Sequence, residues 1–491
     1  MSDVPTTAAK HRLETLLAAP GGRRVGVLGL GVSGRAMALH LRRRGFSVEA
    51  ADARADVDVE GLRDAGVCVR LADSDPSLFD GVEALAISPG IATSHPAVDR
   101  QLARGVPVVG ELDLVGALPV KTVAVTGTNG KSTTVAMIGA LLEGLGYTPF
   151  VGGNYGEPIV SWIDRGAPGD VAVVEVSSYQ LERAVRFRPN VGIVLNLAPD
   201  HLERHGSMEA YAAAKARLVE CLPTDGVAVL NADDEYVAAM ATKANGAVWC
   251  WSLETKPSGR TGAYRDSEDC CVGFGEAAPL GRVALAHPRL PGRHDRHNAL
   301  AAFLALAGLG VRPKDTEELR QAYLGFPGLP HRLEPVAEAG GISFINDSKA
   351  TNDAAAASAV HAMSKPVILL AGGRDKGSGY AALAAAAPQK LRQVIAFGEA
   401  RAAIVRQLQG HVPCSAAETL DAALSRAIES ARTGDVVLLS PACSSFDAFA
   451  GYAARGDYFK NLVRQWVESQ SRTSVTKAAT RSLSGIGGRD E

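Results

Sequence analysis

Thr126-Gly127-Thr128-Asn129-Gly130-Lys131-Ser132-Thr133 joins a β-rich apolar run to a helical pattern, and these residue types in this order can do phosphate chemistry. Glycines let successive backbone N–H groups curl around phosphate oxygens, and the start of the following helix adds a favourable dipole. Lys131 can neutralise the β- and γ-phosphates, and the Ser132 hydroxyl can reach Mg²⁺. Val125 stands where the usual pattern has its first glycine, so the loop is the shortened form G-x-x-G-K-S. An ordinary strand–helix turn gives little reason for Lys-Ser-Thr directly after the second glycine. The chemistry expected is use of the terminal phosphate of ATP, with Mg²⁺, to drive bond formation.

Four further places carry reactive residue types. Gly29-x-Gly31-x-x-Gly34, with Asp52 after the next strand, resembles a dinucleotide fingerprint. NAD, another nucleotide-linked diphosphate, or a tight turn without a ligand would each account for it. Glu175 ends the apolar run Val171–Val176, at the sheet edge where α/β ligands bind; it suits a hard Mg²⁺ ion or an edge salt bridge. His201 and His205 have helical i, i+4 spacing, but Pro199 argues for a loop and no third zinc ligand is near in sequence. A histidine beside a nucleotide metal or substrate, or on the surface, fits better. Lys215 lies among alanines in the helical stretch Met208–Cys221, where a lysine is usually solvated.

The elements that must position these residues are short apolar runs alternating with helical patterns, an α/β arrangement. Strands are expected at Arg24–Leu28, Ser47–Ala51, Ala84–Ile87 and Val106–Val109, then from Lys121, and at Val171–Val176, Val191–Leu195 and Val227–Leu230. After the Pro/Gly-rich linker FPGLPHR come Ile342–Ile345, Val367–Leu370, Gln393–Phe397 and Val436–Leu439. Three domains follow: 1–116, Rossmann-like; 117–325, a P-loop-type parallel sheet with helices on both faces; 326–470, again Rossmann-like. Residues 471–491, rich in Ser, Thr, Arg and Gly, read as a disordered tail. The formal net charge of −2 gives no footprint for nucleic acid or a membrane surface. Seven cysteines without a C-x-x-C pair argue against a disulfide framework. No apolar run suits a signal peptide or a membrane span, so the cytosol and a monomer are the default expectations.

TGTNGKST, EVSSYQLE, the Asp200-His201 pair, Lys215, GRHDRHN, GLPHR, INDSKATN and LSPACSSFD together resemble the Mur ligases of peptidoglycan synthesis, from about Val25 to Val463. INDSKATN, GLPHR and SPACSSFD resemble the D-glutamate-adding branch of that family, and the DNPR signature of the diamino-acid-adding branch is absent. The resemblance implies ATP-driven addition of D-glutamate to UDP-N-acetylmuramoyl-L-alanine through an acyl phosphate, with two Mg²⁺ ions. It implies nucleotide contacts from Gly127, Thr128, Asn129, Gly130, Lys131, Ser132, Thr133, Asn298, Arg332 and Asp347. Catalytic roles would fall to Lys131, Lys215, His201 and Glu175. Metal ligation would fall to Ser132, Glu175, His201 and Lys215, the last carbamylated. Val32, Ser33, Asp52 and Arg54 would meet the uridine diphosphate, which assigns the first glycine-rich turn to UDP, and Asn154 the sugar–peptide part. Lys349, Thr351, Lys376, Ser445 and Phe446 would form the D-glutamate pocket. Asp295 stands where the family pattern G-x-H-N-x-x-N has its first Asn, and Phe446 where an aliphatic residue is common.

Overall fold

The computed structural model describes residues 7–73, 75–290, 292–375, 377 and 379–484, in mixed α/β architecture. The chain divides into two compact units, Met1–Leu285 with Arg296–Phe326, and Ala286–Asp295 with Pro327–Glu491.

The first unit holds two sheets. Strands β1 (Arg24–Leu28), β2 (Ser47–Asp52), β3 (Cys68–Leu71), β4 (Ala84–Ile87) and β5 (Val108–Val109) form a parallel sheet in the order β3-β2-β1-β4-β5. Helix α1 (Val32–Arg43) leaves β1 through the glycine-rich turn. A Cβ on Gly34 would lie 1.8 Å from the Gly29 carbonyl oxygen, so only glycine lets the helix pack this close to the turn.

The second sheet has nine strands: β6 (Lys121–Thr126), β7 (Pro149–Gly153), β8 (Val171–Glu175), β9 (Val191–Val194), β10 (Val227–Asn231), β11 (Ala247–Ser252), β12 (Gly262–Arg265), β13 (Cys270–Phe274) and β14 (Arg282–Ala284). Their order is β14-β13-β12-β11-β10-β9-β6-β8-β7. β8, β9 and all of β6 after the exposed Lys121 are buried, as continuous Val/Ala/Ile runs in the middle of a parallel sheet should be. Helices α2 (Lys131–Gly144) and α3 (Met208–Glu220) pack against this centre. The expected all-parallel sheet is extended by an antiparallel β12–β13–β14 meander. Its strands are three to five residues long and interrupted by Gly262 and Gly273, too short to show a period in sequence. Helix α4 (Arg293–Gly308) follows.

The second unit carries β15 (Glu334–Ala339), β16 (Ile342–Asn346), β17 (Val367–Gly372), β18 (Leu391–Phe397), β19 (Cys414–Ala416) and β20 (Val436–Leu439), in the order β15-β16-β20-β17-β18-β19. Only β15 runs antiparallel. Side chains alternate between two apolar clusters. Val367, Leu369, Ala396 and Leu438 enter one, while Ile368, Leu370, Ile395 and Val437 enter the other, so both faces of the sheet are covered. Helix α5 runs Tyr452–Ser484 and so enters the stretch expected to be a tail from Ser471. After Gly456 no glycine or proline interrupts the chain before Gly485, and composition alone did not weigh that continuity. Among the described residues no helix is long and apolar enough to cross a membrane.

Candidate active site

In the first unit the phosphate loop leaves the C-terminal end of β6 and enters α2 through Gly130, at φ +84°. Glycine is needed twice over at 130, because a Cβ there would also meet the Asn298 Oδ1 at 2.5 Å. That contact brings Asn298, buried on α4, to the loop. The loop is braced from the end of β9. The Thr128 N–H donates to the Asn196 carbonyl (2.9 Å), and the Asn129 N–H to Asn196 Oδ1 (2.9 Å). The Thr128 hydroxyl meets the Tyr211 hydroxyl at 3.1 Å and receives the Ala198 N–H at 3.0 Å. Lys131 Nζ donates to the Gly127 and Thr128 carbonyls, both at 2.9 Å, so its charge sits over the loop. Ser132 and Thr133 begin α2 and are buried.

Lys215 is 1% exposed, against the solvated position its alanine neighbours suggest. It lies on the inward face of α3 and donates from Nζ to the Gly127 carbonyl at 2.8 Å, with the Tyr211 ring beneath it at 4.7 Å. Burial drives its pKa well below the ordinary lysine value; the nearby Lys131 charge adds to this, and Asp200 and Glu175 oppose it. Glu175 ends β8, buried. Its Oε1 accepts from Asn154 Nδ2 at 2.7 Å, and its Oε2 is buried without a hydrogen-bond partner. A buried carboxylate oxygen of this kind beside a phosphate loop suits a hard divalent cation. Thus Lys131, Ser132, Lys215, Glu175, Asn154 and Asn298 converge on one sheet edge.

His201 lies next to this group, with its backbone at φ +55° and its Nδ1 2.9 Å from the Tyr179 hydroxyl. His205, its i+4 neighbour, is turned to the Ser178 hydroxyl at 3.1 Å. Among the described residues no group of three or more His, Cys, Asp and Glu side chains is arranged to hold a metal ion. Sequence reasoning missed the frame around His201. Arg204 forms a paired contact with Glu182 (3.0 and 2.7 Å), lies 4.2 Å over the Tyr179 ring, and donates to the Pro89 carbonyl beyond β4 at 3.1 Å. The signal was present, since Tyr179 and Glu182 lie inside EVSSYQLE, but their partners are distant in sequence.

At the first sheet, Asp52 is buried at the end of β2. It accepts from the Leu30 N–H in the glycine-rich turn (2.7 Å) and from the Arg54 N–H (2.9 Å) and guanidinium (3.1 Å). Burial works against its charged form, but these donors outweigh it and hold the carboxyl below its ordinary value. Val32, by contrast, is largely exposed at the start of α1.

In the second unit Asp347 is buried beyond β16, accepting from the Ser440 hydroxyl (2.8 Å) and the Leu333 N–H (3.2 Å). Burial raises its carboxyl to about 7, with Ser440, Leu333 and Arg332 pulling the other way. Lys349 Nζ rests 3.9 Å over the Tyr452 ring. Thr351 is partly exposed, Ser445 buried and Phe446 exposed, all on loops at the C-terminal edge of the third sheet. Lys376 lies outside the described residues. Asp295 accepts the Gly292 N–H at 3.0 Å and so caps its own helix, α4.

Residues 23–110 match the Mur ligase MurD-like N-terminal domain, 125–306 the Mur ligase middle domain, and 331–443 the Mur ligase glutamate ligase domain. A UDP-N-acetylmuramoylalanine–D-glutamate ligase of Acidobacterium capsulatum is 40% identical over 448 residues, covering 90% of this chain and 96% of its own. The enzyme of that name from Syntrophus aciditrophicus is 40% identical over 453 residues, covering 90% and 98%. The crystal structure of the MurF ligase of Thermotoga maritima in complex with ADP shares the fold, with a TM-score of 0.57 at 16% identity over 86% of this chain and 96% of that one. The chain belongs to the Mur ligase family.

Proposed function

We propose that this chain is an ATP-dependent ligase that adds D-glutamate to UDP-N-acetylmuramoyl-L-alanine, a step in making peptidoglycan precursors. The observation that carries the chemistry is Lys215. It is buried against the Gly127 carbonyl of the phosphate loop, with its pKa depressed and the partnerless Glu175 oxygen in the same site. The 40% identical relatives named for D-glutamate addition support the choice of substrate.

In this reading the substrate carboxylate attacks the γ-phosphorus of ATP, the bond to the β–γ bridging oxygen breaks, and an acyl phosphate and ADP result. The amine of D-glutamate then adds to the acyl carbon and gives up a proton. The tetrahedral intermediate collapses to amide and phosphate. A free carboxylate has no adequate leaving group, and phosphorylation supplies one. Lys131 neutralises the moving phosphoryl group, and the backbone of Gly127–Thr133 orients it. Ser132, Glu175, His201 and Lys215 would hold Mg²⁺, two ions in all, which supply further charge neutralisation when bound. A neutral Lys215 amine can add to CO₂ and lose a proton, giving a carbamate whose oxygens suit the same hard cation. Its burial favours that neutral amine.

Residues 1–116 bind the UDP moiety through Val32, Ser33, Asp52 and Arg54, with Asn154 meeting the sugar–peptide part. Residues 117–325 handle ATP, with Asn298. Residues 326–470 contribute Arg332 and Asp347 to the nucleotide and Lys349, Thr351, Lys376, Ser445 and Phe446 to D-glutamate. The enzyme acts as a cytosolic monomer without nucleic acid or membrane.

The test is phosphate release from Mg²⁺–ATP with UDP-N-acetylmuramoyl-L-alanine and D-glutamate, L-glutamate or other amino acids in turn. Release that needs both the UDP-substrate and D-glutamate is the expected result. Release with a different amino acid keeps the ligase and refutes the substrate.

A further inference from the structure

Arg455, in the first turns of α5, is completely buried, and no sequence motif pointed to it. Its guanidinium has five N–H groups and makes five hydrogen bonds. Nε donates to the Ser348 hydroxyl (3.0 Å). One terminal nitrogen donates to the Gly372 and Ser444 carbonyls (3.2 and 3.3 Å), the other to the Ser348 and Cys443 carbonyls (2.9 and 3.1 Å). None of these acceptors is a carboxylate. A buried cation without an ion-pair contact is costly, and burial pulls this guanidinium down to about 10, although Cys443 and the Asp447 carboxylate act in the opposite direction. A residue that served only to fill space would be better replaced by an apolar one.

The acceptors lie on the loops that leave the C-terminal ends of β16 and β20 and on Gly372, the last residue of β17. Two of the gripped carbonyls belong to the peptides that immediately precede Lys349 and Ser445. Because a peptide is planar, fixing its carbonyl fixes the N–H and the start of the next residue. The loop after β20 also carries strain: Ala442 stands at φ +58°, a region that non-glycine residues adopt only when their surroundings impose it. The bond from Arg455 to the next carbonyl, Cys443, is part of what imposes it. Gly373, at φ +128°, makes room, since a Cβ there would meet the Ser444 oxygen at 2.1 Å and a guanidinium nitrogen at 2.9 Å. The same helix turn adds the Tyr452 carbonyl, which receives the Ser348 hydroxyl at 2.8 Å, and the Tyr452 ring beneath Lys349.

We infer that Arg455 is a positioning residue of the amino-acid pocket. Its guanidinium locks the loops that present Lys349 and Ser445, and its charge, which makes no ion pair among the described residues, adds a positive field that a dicarboxylate amino acid compensates. The inference rests on the amino-acid role proposed for these loops.

The experiment measures KM for D-glutamate, ATP and the UDP-substrate in the parent, Arg455→Met, Arg455→Lys and Ser348→Ala, with a thermal melt of each. In Arg455→Met, KM for D-glutamate is expected to rise roughly ten-fold or more while the other two stay within about two-fold, with part of the loss recovered in Arg455→Lys. Ser348→Ala, which removes one acceptor, should raise KM for D-glutamate about three-fold. If Arg455→Met does not fold, the other two variants carry the test. A folded variant set with unchanged KM for D-glutamate, or with all three KM values rising together, overturns the inference and leaves Arg455 a plain structural residue. If the parent turns over with another amino acid, the substrate reading fails, and the same comparison made with that amino acid still decides the role of Arg455. Turnover with no amino acid overturns both.

Discussion

Replacing Glu111 by glutamine should make the protein's stability less sensitive to a rise in pH from mildly acidic to neutral. Glu111 opens the connector between the first two sheets and is 1% exposed. Its Oε1 accepts the Val160 N–H at 3.1 Å. Burial is the largest influence and raises the carboxyl from 4.5 to about 7, against hydrogen bonds from the backbone of Val160 and Ile159 and from Gln180. The folded protein therefore keeps this proton at a pH where the unfolded chain has lost it. Bound protons are more numerous in the folded state between about pH 4.5 and 7, so stability falls as pH rises through that window and levels off above it. At about 1.4 kcal/mol per pH unit, the loss between about pH 5.5 and 8.5 comes to about 2 kcal/mol. Glu111→Gln keeps an oxygen for Val160 and cannot ionise. Urea unfolding of parent and variant, followed by tryptophan fluorescence, reads the effect; Trp162 sits two residues from Val160 in the helix Ile159–Asp164. Other titrating groups cancel in the difference between the two proteins. The stability gap, variant minus parent, should widen by about 2 kcal/mol at the higher pH. A gap constant to within about 0.5 kcal/mol would mean that Glu111 ionises as it does in water, and the reasoning from burial would fail.

Lys131→Ala should abolish turnover while calorimetry still detects the UDP-substrate, because the residues expected to meet uridine, Asp52 and Arg54, belong to the first sheet; residual turnover above about 1% would remove Lys131 from the phosphate chemistry. Lys215→Ala should be inactive and regain part of its turnover with added acetate or another short carboxylate, with mass spectrometry of the parent under CO₂ checking for the carbamate; full activity without rescue would end that role. Gly130→Ala meets both an unfavourable φ of +84° and the Asn298 oxygen at 2.5 Å. It should cost about 1–2 kcal/mol and raise KM for ATP about ten-fold, and a silent substitution would show that the loop adopts another path.

Much of the fold was legible because its central strands are continuous β-branched runs bounded by glycines. β1, β4, β8, β9, β17 and β20 all show in the sequence at nearly their observed ends. β7 did not, since PFVGG begins with proline and ends in two glycines that usually break strands. Gly152 and Gly153 are there because backbone approaches: a Cβ would meet the Glu157 and Glu175 carbonyls at 2.6 and 2.5 Å respectively. The phosphate loop was equally plain, because glycine, lysine and hydroxyl residues at fixed spacing all act within one turn. His201 could be read from its neighbours as a histidine beside a nucleotide metal or substrate, or on the surface, whereas a functional Lys215 was readable only by resemblance. The company they keep, Tyr179 for His201 and Gly127 and Glu175 for Lys215, is more than twenty residues away along the chain in each case.

Charged residues were the harder part for one physical reason. Local pattern treats a charge as a mark of solvent, and this fold buries several at the C-terminal edges of its sheets. Glu175 and Asp347 are buried at or beyond strand ends, Lys215 and Arg455 on helices α3 and α5, and Glu111 in the short helix after β5. Three of them are matched by groups distant in sequence rather than by neighbours: Lys215 by the Gly127 carbonyl, Asp347 by Ser440 and Leu333, Arg455 by two loops and the end of β17. Burial shifts the proton equilibria of Lys215, Asp347 and Glu111 toward their neutral forms and leaves Arg455 charged among carbonyls. A ligase that must desolvate phosphate and carboxylate needs charges placed in advance and kept from water, since solvent that reorganises during reaction weakens their effect. In the proposed reading, the stability cost of those buried groups is where the amino-acid and nucleotide chemistry is encoded, and it shows only when the loops are brought together in space.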